Sequence, residues 1–150
     1  MSEALRTLTV GSSLLAVTFT WLSVRAAWTP AESPARLVAE FRVVQLGSLV
    51  LALVAGAYLG LAAAHESRPG VGLDVAFALG FLVASAAALT RDPREALTLL
   101  ALTFAAHAIL DVAHRPGLLP ASLAPRWYAI GAASFDVYLG ALCYLPVLRR

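Results

Sequence analysis

The chain has 150 residues, of which 60% are hydrophobic, and its mean hydropathy is +0.79. Soluble domains are about 45–50% apolar, so the composition argues against a soluble domain and indicates a lipid bilayer as the surroundings. The eleven basic residues are all arginine, and the nine acids leave a net charge of +2 with no basic patch. This pattern argues against nucleic acid as a partner. The use of arginine in place of lysine, with abundant alanine, is typical of a GC-rich bacterial genome.

Five apolar segments follow one another along the chain. Each is close to the ~20 residues that cross the hydrocarbon core as a helix, and none shows the alternation of a membrane β-barrel strand. The segments cover residues 8–28, 43–64, 71–90, 96–113 and 127–148. We therefore predict an all-α fold, with residues 1–150 forming a single transmembrane domain of five helices.

Capping residues mark where several of these helices begin. Ser33 followed by Pro34 is typical of an N-cap and a first helical residue, so the second helix should start before its span, in the membrane interface. Asp92 and Pro93 repeat this pattern before the fourth helix. Pro125 is predicted to open the fifth.

The arginines are distributed unequally between the two predicted sides of the membrane. With five spans, the N-terminus and the loops 65–70 and 115–126 share one side. That side carries four arginines, whereas the other carries six, with Arg25 near it. The positive-inside rule then predicts a multi-pass protein of the cell inner membrane, with the N-terminus outside and the C-terminus in the cytoplasm. The four arginines of the outer side are Arg6, Arg68, Arg115 and Arg126.

Small residues recur at every fourth position of the second segment, at Ser48, Ala52, Gly56 and Gly60. Such a stripe lets two helix backbones approach closely within lipid. One interpretation is a homo-oligomer or a complex with another membrane protein. The other, which we favour from the sequence, is packing against a neighbouring helix of the same chain.

The fourth segment carries ionisable residues at helical spacing. His107, Asp111 and His114 form the pattern HxxxDxxH, and at about 100° per residue they lie within about 60° around the helix axis. Ionisable side chains within a span normally face the bundle interior or a water-filled cavity. The pattern therefore predicts a polar pocket inside the bundle.

Two acids of other segments are expected at a similar depth. At the rise of an α-helix, His107 would lie about 12 Å and Asp111 about 6 Å below the surface that the fourth helix reaches. Asp136 of the fifth segment would lie about 15 Å, and Asp74 of the third about 6 Å, below that same surface. We therefore expect these acids and histidines to gather in one leaflet.

The first interpretation of this pocket is a metal site. Imidazole with carboxylate suits zinc or iron, and His107, Asp111 and His114 would be the ligands. Asp136 or Asp74 would complete the coordination or act as a catalytic base. On this interpretation the protein is a metal-dependent hydrolase or oxygenase that acts on a lipid-soluble substrate.

Two other interpretations stay open at this stage. The histidines and acids can form a structural hydrogen-bond knot in a non-catalytic membrane subunit or a lipid-binding module. They can also form a proton or ion relay, as in a small transporter. The sequence contains no phosphate-binding glycine loop, GxSxG or HExxH. It therefore leaves open whether the protein is an enzyme, and it indicates no cofactor besides zinc or iron.

The segment from Gly56 to Leu145 contains GAYLGLA, HAILDVAH, PRWY and SFDVYLG in this order. It resembles an uncharacterised family of small bacterial integral membrane proteins, in which an HxxxDxxH helix precedes a span that starts PxWY and carries an Asp. Leu110 and Arg115 stand where members carry a tryptophan and a second histidine. The family has no established activity, so the resemblance implies the layout of the helices and not a function.

Overall fold

The computed structural model describes residues 3–65, 69–114, 118–119 and 125–149. These residues form five α-helices and no strand, and all five helices are long and apolar enough to cross a membrane. The predicted all-α fold with five transmembrane helices is thereby confirmed. The helices are α1 (Glu3–Trp28), α2 (Pro34–Ala64), α3 (Val71–Leu89), α4 (Pro93–Ala113) and α5 (Arg126–Leu148).

The helix starts follow the predicted capping residues. The Ser33 side chain accepts a hydrogen bond from the backbone N–H of Ala35, at 3.3 Å. Asp92 accepts from the backbone N–H of Arg94, at 3.0 Å. In both helices proline occupies the first turn, where no backbone N–H is needed. As a result α2 runs unbroken over 31 residues and begins well before its apolar span, as predicted.

Large apolar side chains occupy both the centre and the outside of the bundle. Phe19, Leu51 and Phe104 are fully buried in the core. Leu53 and Ile109 are 73% and 67% exposed on the outer surface. An outer surface of this kind is what lipid requires, because lipid tails are as apolar as the side chains that face them.

Close helix approach depends on two glycines. A Cβ atom at Gly140 of α5 would lie 3.2 Å from the backbone oxygen of Ala101 in α4. A Cβ atom at Gly47 of α2 would lie 3.1 Å from Cδ1 of Leu100. Because Asp136 precedes Gly140 by one turn on the same buried face, the close approach of α5 also carries Asp136 against α4.

Arg36 forms a buried ion pair within α2 and also joins the start of α2 to the end of α5. Nε of Arg36 donates to Oε1 of Glu40 at 2.8 Å, and both side chains are buried. The guanidinium also donates to the backbone oxygens of Thr29, Pro146 and Arg149, at 2.9, 2.7 and 2.6 Å. Arg36 therefore satisfies carbonyls at the C-terminal end of α5 that have no partner within the helix. We predicted an interfacial segment here, without a buried charge pair.

The stripe of small residues on α2 is divided between two environments. Ser48 is 1% exposed and lies inside the chain, whereas Gly56 and Gly60 are exposed. Among the described residues, no atom would lie within 4 Å of a Cβ added at either glycine. Within the described ranges these two glycines therefore have no neighbouring helix against them, because this part of α2 turns Ala55, Tyr58 and Ala62 inward instead. Whether the stripe packs within the chain or against another protein stays a prediction.

Candidate functional site

The inner face of α4 carries His107 and Asp111 one turn apart, each 5% exposed. The opposite face exposes Ile109 and Val112. This is the orientation predicted from the helical spacing of the polar residues. It directs both side chains toward α2, α3 and α5.

His107 is hydrogen-bonded to an acid of another helix. Its Nδ1 atom lies 2.5 Å from Oδ2 of Asp136 on α5, and 3.9 Å from Oδ2 of Asp111 on its own helix. Asp136 is 4% exposed. One ligand atom from each of these three residues lies within 4.8 Å of the other two. We call these residues the His–Asp–Asp group.

Two aromatic residues enclose the His–Asp–Asp group. The hydroxyl of Tyr58 donates to Oδ1 of Asp111 at 3.1 Å. The rings of Tyr58 and Phe81 both meet the His107 ring edge-on, with centroids 5.9 and 4.9 Å away. We did not predict a role for Tyr58. A signal was present, since a buried tyrosine hydroxyl usually needs a hydrogen-bond partner, and Tyr58 interrupts an otherwise apolar span.

His114 and Asp74 form a second pair at the end of α4. Nε2 of His114 lies 3.0 Å from Oδ1 of Asp74, and its Nδ1 lies 2.7 Å from the backbone oxygen of Leu110. Both ring nitrogens are therefore engaged. The structure places His114 beside the His–Asp–Asp group but does not bring it into that group. Of the predicted ligands and catalytic acids, His107, Asp111 and Asp136 come together, and His114 and Asp74 pair separately.

One carboxylate oxygen of this site accepts no hydrogen bond from the described residues. Oδ2 of Asp111 is buried, and no residue in the described part of the chain forms a hydrogen bond with it. Leaving a buried carboxylate oxygen unpaired is costly, so such an atom indicates that a cation or a donor belongs beside it. A cavity of about 20 Å³ adjoins Asp111, which exceeds the 10–15 Å³ that a water molecule needs. Its lining is mostly apolar, and the ionisable or hydroxyl-bearing residues in it are Tyr58, Asp74, His107, Asp111 and His114.

The spacing of the His–Asp–Asp group is compatible with a small metal ion. Ligand atoms about 2.0–2.2 Å from a tetrahedral zinc ion lie about 3.3 Å from one another. The distances from Nδ1 of His107 to Oδ2 of Asp136 and of Asp111, 2.5 and 3.9 Å, bracket this value. Imidazole and carboxylate are also the donor types that zinc and iron accept.

Part of the predicted surroundings lies outside the described residues. This applies to Arg68 and Arg115, which contributed to the predicted orientation, and to most of the 115–126 loop. The structure thus describes the buried part of the site and the helices that form it.

The chain was compared with protein-family models, curated proteins and solved structures, and none of them matches it. The resemblance noted from the sequence therefore remains a prediction.

Proposed function

We propose that this multi-pass membrane protein is a metal-dependent enzyme that acts on a lipid-soluble substrate. Zinc or iron would be held by His107, Asp111 and Asp136. The observation that carries the proposal is the buried Oδ2 of Asp111, which lies 3.9 Å from Nδ1 of His107 and accepts no hydrogen bond from the described residues. Asp111, His107 and Asp136 also offer one ligand atom each within 4.8 Å of one another. Three protein ligands leave positions at which a metal ion can polarise water or substrate.

The His114–Asp74 pair would serve as an acid–base pair in this enzyme. It lines the same cavity as His107 and Asp111. The backbone oxygen of Leu110 can only accept, so Nδ1 of His114 carries a proton. The contact between Nε2 of His114 and Oδ1 of Asp74 would hold one further proton, which the pair could donate to a group in the cavity and later regain. This role differs from the metal ligation that we predicted for His114 from spacing alone.

The proposal is tested by the metal content of the detergent-purified protein, measured by mass spectrometry. We expect near-stoichiometric zinc or iron in the wild type, and its loss in His107→Ala because the imidazole ligand is removed. His65→Ala is the matched control, since His65 follows α2 and its ring bonds only to the backbone oxygen of Leu61 among the described residues. Absence of metal from the wild type would contradict the proposal.

A structural role is the second candidate, and the hydrogen bonds within the site favour it. The contacts of Tyr58 with Asp111, His107 with Asp136, and Asp74 with His114 join α2, α3, α4 and α5. This knot would hold the helices in register in a non-catalytic subunit or lipid-binding module. It predicts a metal-free wild type and a lower stability of Asp111→Ala and Asp136→Ala.

We further propose a location in a bacterial inner membrane, with the N-terminus outside. The arginine distribution along the sequence supports this orientation. The exposed Gly56 and Gly60 offer a surface for a second copy or another membrane protein, because their side of α2 has room for a close helix contact.

A further inference from the structure

An open apolar groove lies between α3 and α4 on the outer surface of the bundle. It has a volume of about 340 Å³. One wall carries Ala76, Gly80 and Ala84 of α3, and the other carries Leu102 and Ala106 of α4. Both helices are candidate membrane spans, so the groove opens toward lipid. We call it the α3–α4 groove.

The groove exists because small residues recur at every fourth position of α3. A Cβ atom at Gly80 would meet no described atom within 4 Å. The larger neighbours Leu79 and Val83 are 48% and 68% exposed and stand beside this row. From Ala76 to Ala84 the row extends about 12 Å along the helix. The row therefore forms the floor of a shallow, open depression along α3, on which a hydrocarbon chain can lie.

The α3–α4 groove lies next to the polar cavity. Phe77, Phe81 and Leu110 line both spaces. Phe81 is the residue that separates the groove from the metal ligands, since its ring meets the His107 ring with centroids 4.9 Å apart. A rotation of one aromatic side chain would join the hydrocarbon region to the His–Asp–Asp group.

The charges at the inner end restrict what can bind there. Asp74, Asp111 and His107 line the cavity. Asp136 does not line it but is hydrogen-bonded to His107. These three carboxyl groups face two imidazoles, those of His107 and His114. A bound divalent cation would not give the cavity a net positive charge, because the three carboxylates together carry more negative charge than the cation carries positive charge. An anionic headgroup would be repelled, whereas a hydroxyl or amide can donate to the carboxylates.

From this geometry we infer that the groove binds the single hydrocarbon chain of an uncharged amphiphile, a long-chain alcohol or amide. Its polar end would lie in the cavity beside His107 and Asp111. The inference names the substrate class of the proposed enzyme and rests on that function for the chemistry. The binding of the chain in the groove is measurable separately.

The test uses a long-chain alcohol with a photoreactive diazirine in mid-chain, added to the full chain in lipid nanodiscs. Crosslinked peptides are mapped by mass spectrometry. We expect labelling to concentrate on residues 76–84 and 102–110. Gly80→Leu should lower this labelling roughly tenfold, because the new side chain occupies the space of the ligand. Ala84→Leu, which narrows the groove from another position, should have a similar effect.

Gly131→Leu is the matched control. Gly131 is an exposed helical glycine of α5 at which a Cβ would also meet no described atom within 4 Å, and this variant should label as the wild type does. Metal content is measured in every sample. Even labelling of all lipid-facing helices, or labelling unchanged in Gly80→Leu and Ala84→Leu, would overturn the inference.

Two further outcomes distinguish the inference from the proposed function. Equal labelling of the groove by a fatty acid with the same diazirine would overturn the selection of an uncharged headgroup. Selective labelling by the alcohol in a protein without metal would support the groove as the binding site and contradict the metal-dependent function.

Discussion

The two carboxylate oxygens of Asp111 lie in different surroundings. Oδ1 accepts a hydrogen bond from Tyr58, at 3.1 Å, whereas Oδ2 accepts none within the described ranges of the chain and lies 3.9 Å from Nδ1 of His107. Tyr58 therefore holds the carboxylate in an orientation that directs Oδ2 toward His107. Residues that orient a ligand in this way contribute to metal affinity without touching the ion.

Tyr58→Phe tests this orienting role. We expect metal affinity to fall by about 10–100-fold, the usual effect of losing such a partner. The free energy of unfolding should fall by only about 1 kcal/mol, because hydrogen bonds between membrane helices are individually weak. Metal affinity is measured by competition with a chelator, and stability by thermal unfolding in detergent.

Tyr144→Phe is the control for the loss of a hydroxyl, since Tyr144 is 42% exposed on α5. It should change neither quantity. If Tyr58→Phe lost stability while its metal affinity stayed at the wild-type value, Tyr58 would be a structural residue and not a part of the metal site.

The pairing of α4 with α5 brings Asp136 to His107. These two helices are in extensive contact, and Gly140 allows it, since a Cβ atom there would lie only 3.2 Å from the backbone oxygen of Ala101. Asp136 and Gly140 share the buried face of α5, one turn apart. The separation of the helices at Gly140 therefore controls the distance between His107 on α4 and Asp136 on α5, two of the proposed metal ligands.

Replacement of Gly140 by leucine should weaken metal binding without altering any ligand. The added side chain would collide with the backbone of α4 and force the helices apart near Asp136. We expect a lower metal content and a lower thermal stability, measured on the same detergent-purified protein.

Gly131→Leu places the same side chain on an exposed part of α5 and should retain metal. Retention of full metal content by Gly140→Leu would show that the ligands do not depend on this helix contact.

In the molecule as a whole, two buried polar networks lie at opposite ends of the bundle. The His–Asp–Asp group and the His114–Asp74 pair lie near the end where α3 begins and α4 ends. The Arg36–Glu40 pair lies at the end where α2 begins and α5 ends. If the N-terminus is outside, as we propose, the candidate site is nearer to the outer surface.

Cysteine labelling tests this orientation. In a Cys143→Ala background, which removes the only native cysteine, single cysteines would replace Pro69 or Glu32. Both residues are exposed. Glu32 lies before the start of α2 and Pro69 lies after its end, so the two should be on opposite sides of the membrane. A membrane-impermeant thiol reagent added to intact cells should label Pro69→Cys and leave Glu32→Cys unlabelled. The reverse pattern would place the candidate site on the cytoplasmic side, and disruption of the cells should make both cysteines reactive.

Most of the helical layout could be predicted because it depends on local properties of the chain. Hydropathy located the five spans, and capping by Ser33 and Asp92 located two of the helix starts. The inward direction of His107 and Asp111 followed from helical periodicity, since burying charge against lipid is costly. These properties need no knowledge of which helices are neighbours.

The partners of the polar residues could not be predicted in the same way. Spacing on α4 grouped His114 with His107 and Asp111, but the packing of α3 gives His114 a partner in Asp74, and that of α5 gives His107 a partner in Asp136. The inward turn of Tyr58 and the burial of Arg36 also depend on how the helices pack. Contacts between helices depend on how each helix is rotated about its axis and on how far apart neighbouring helices lie. Residues that are distant in sequence determine both together. Periodicity within one helix therefore indicates which face is buried, whereas the three-dimensional packing determines which atoms meet there.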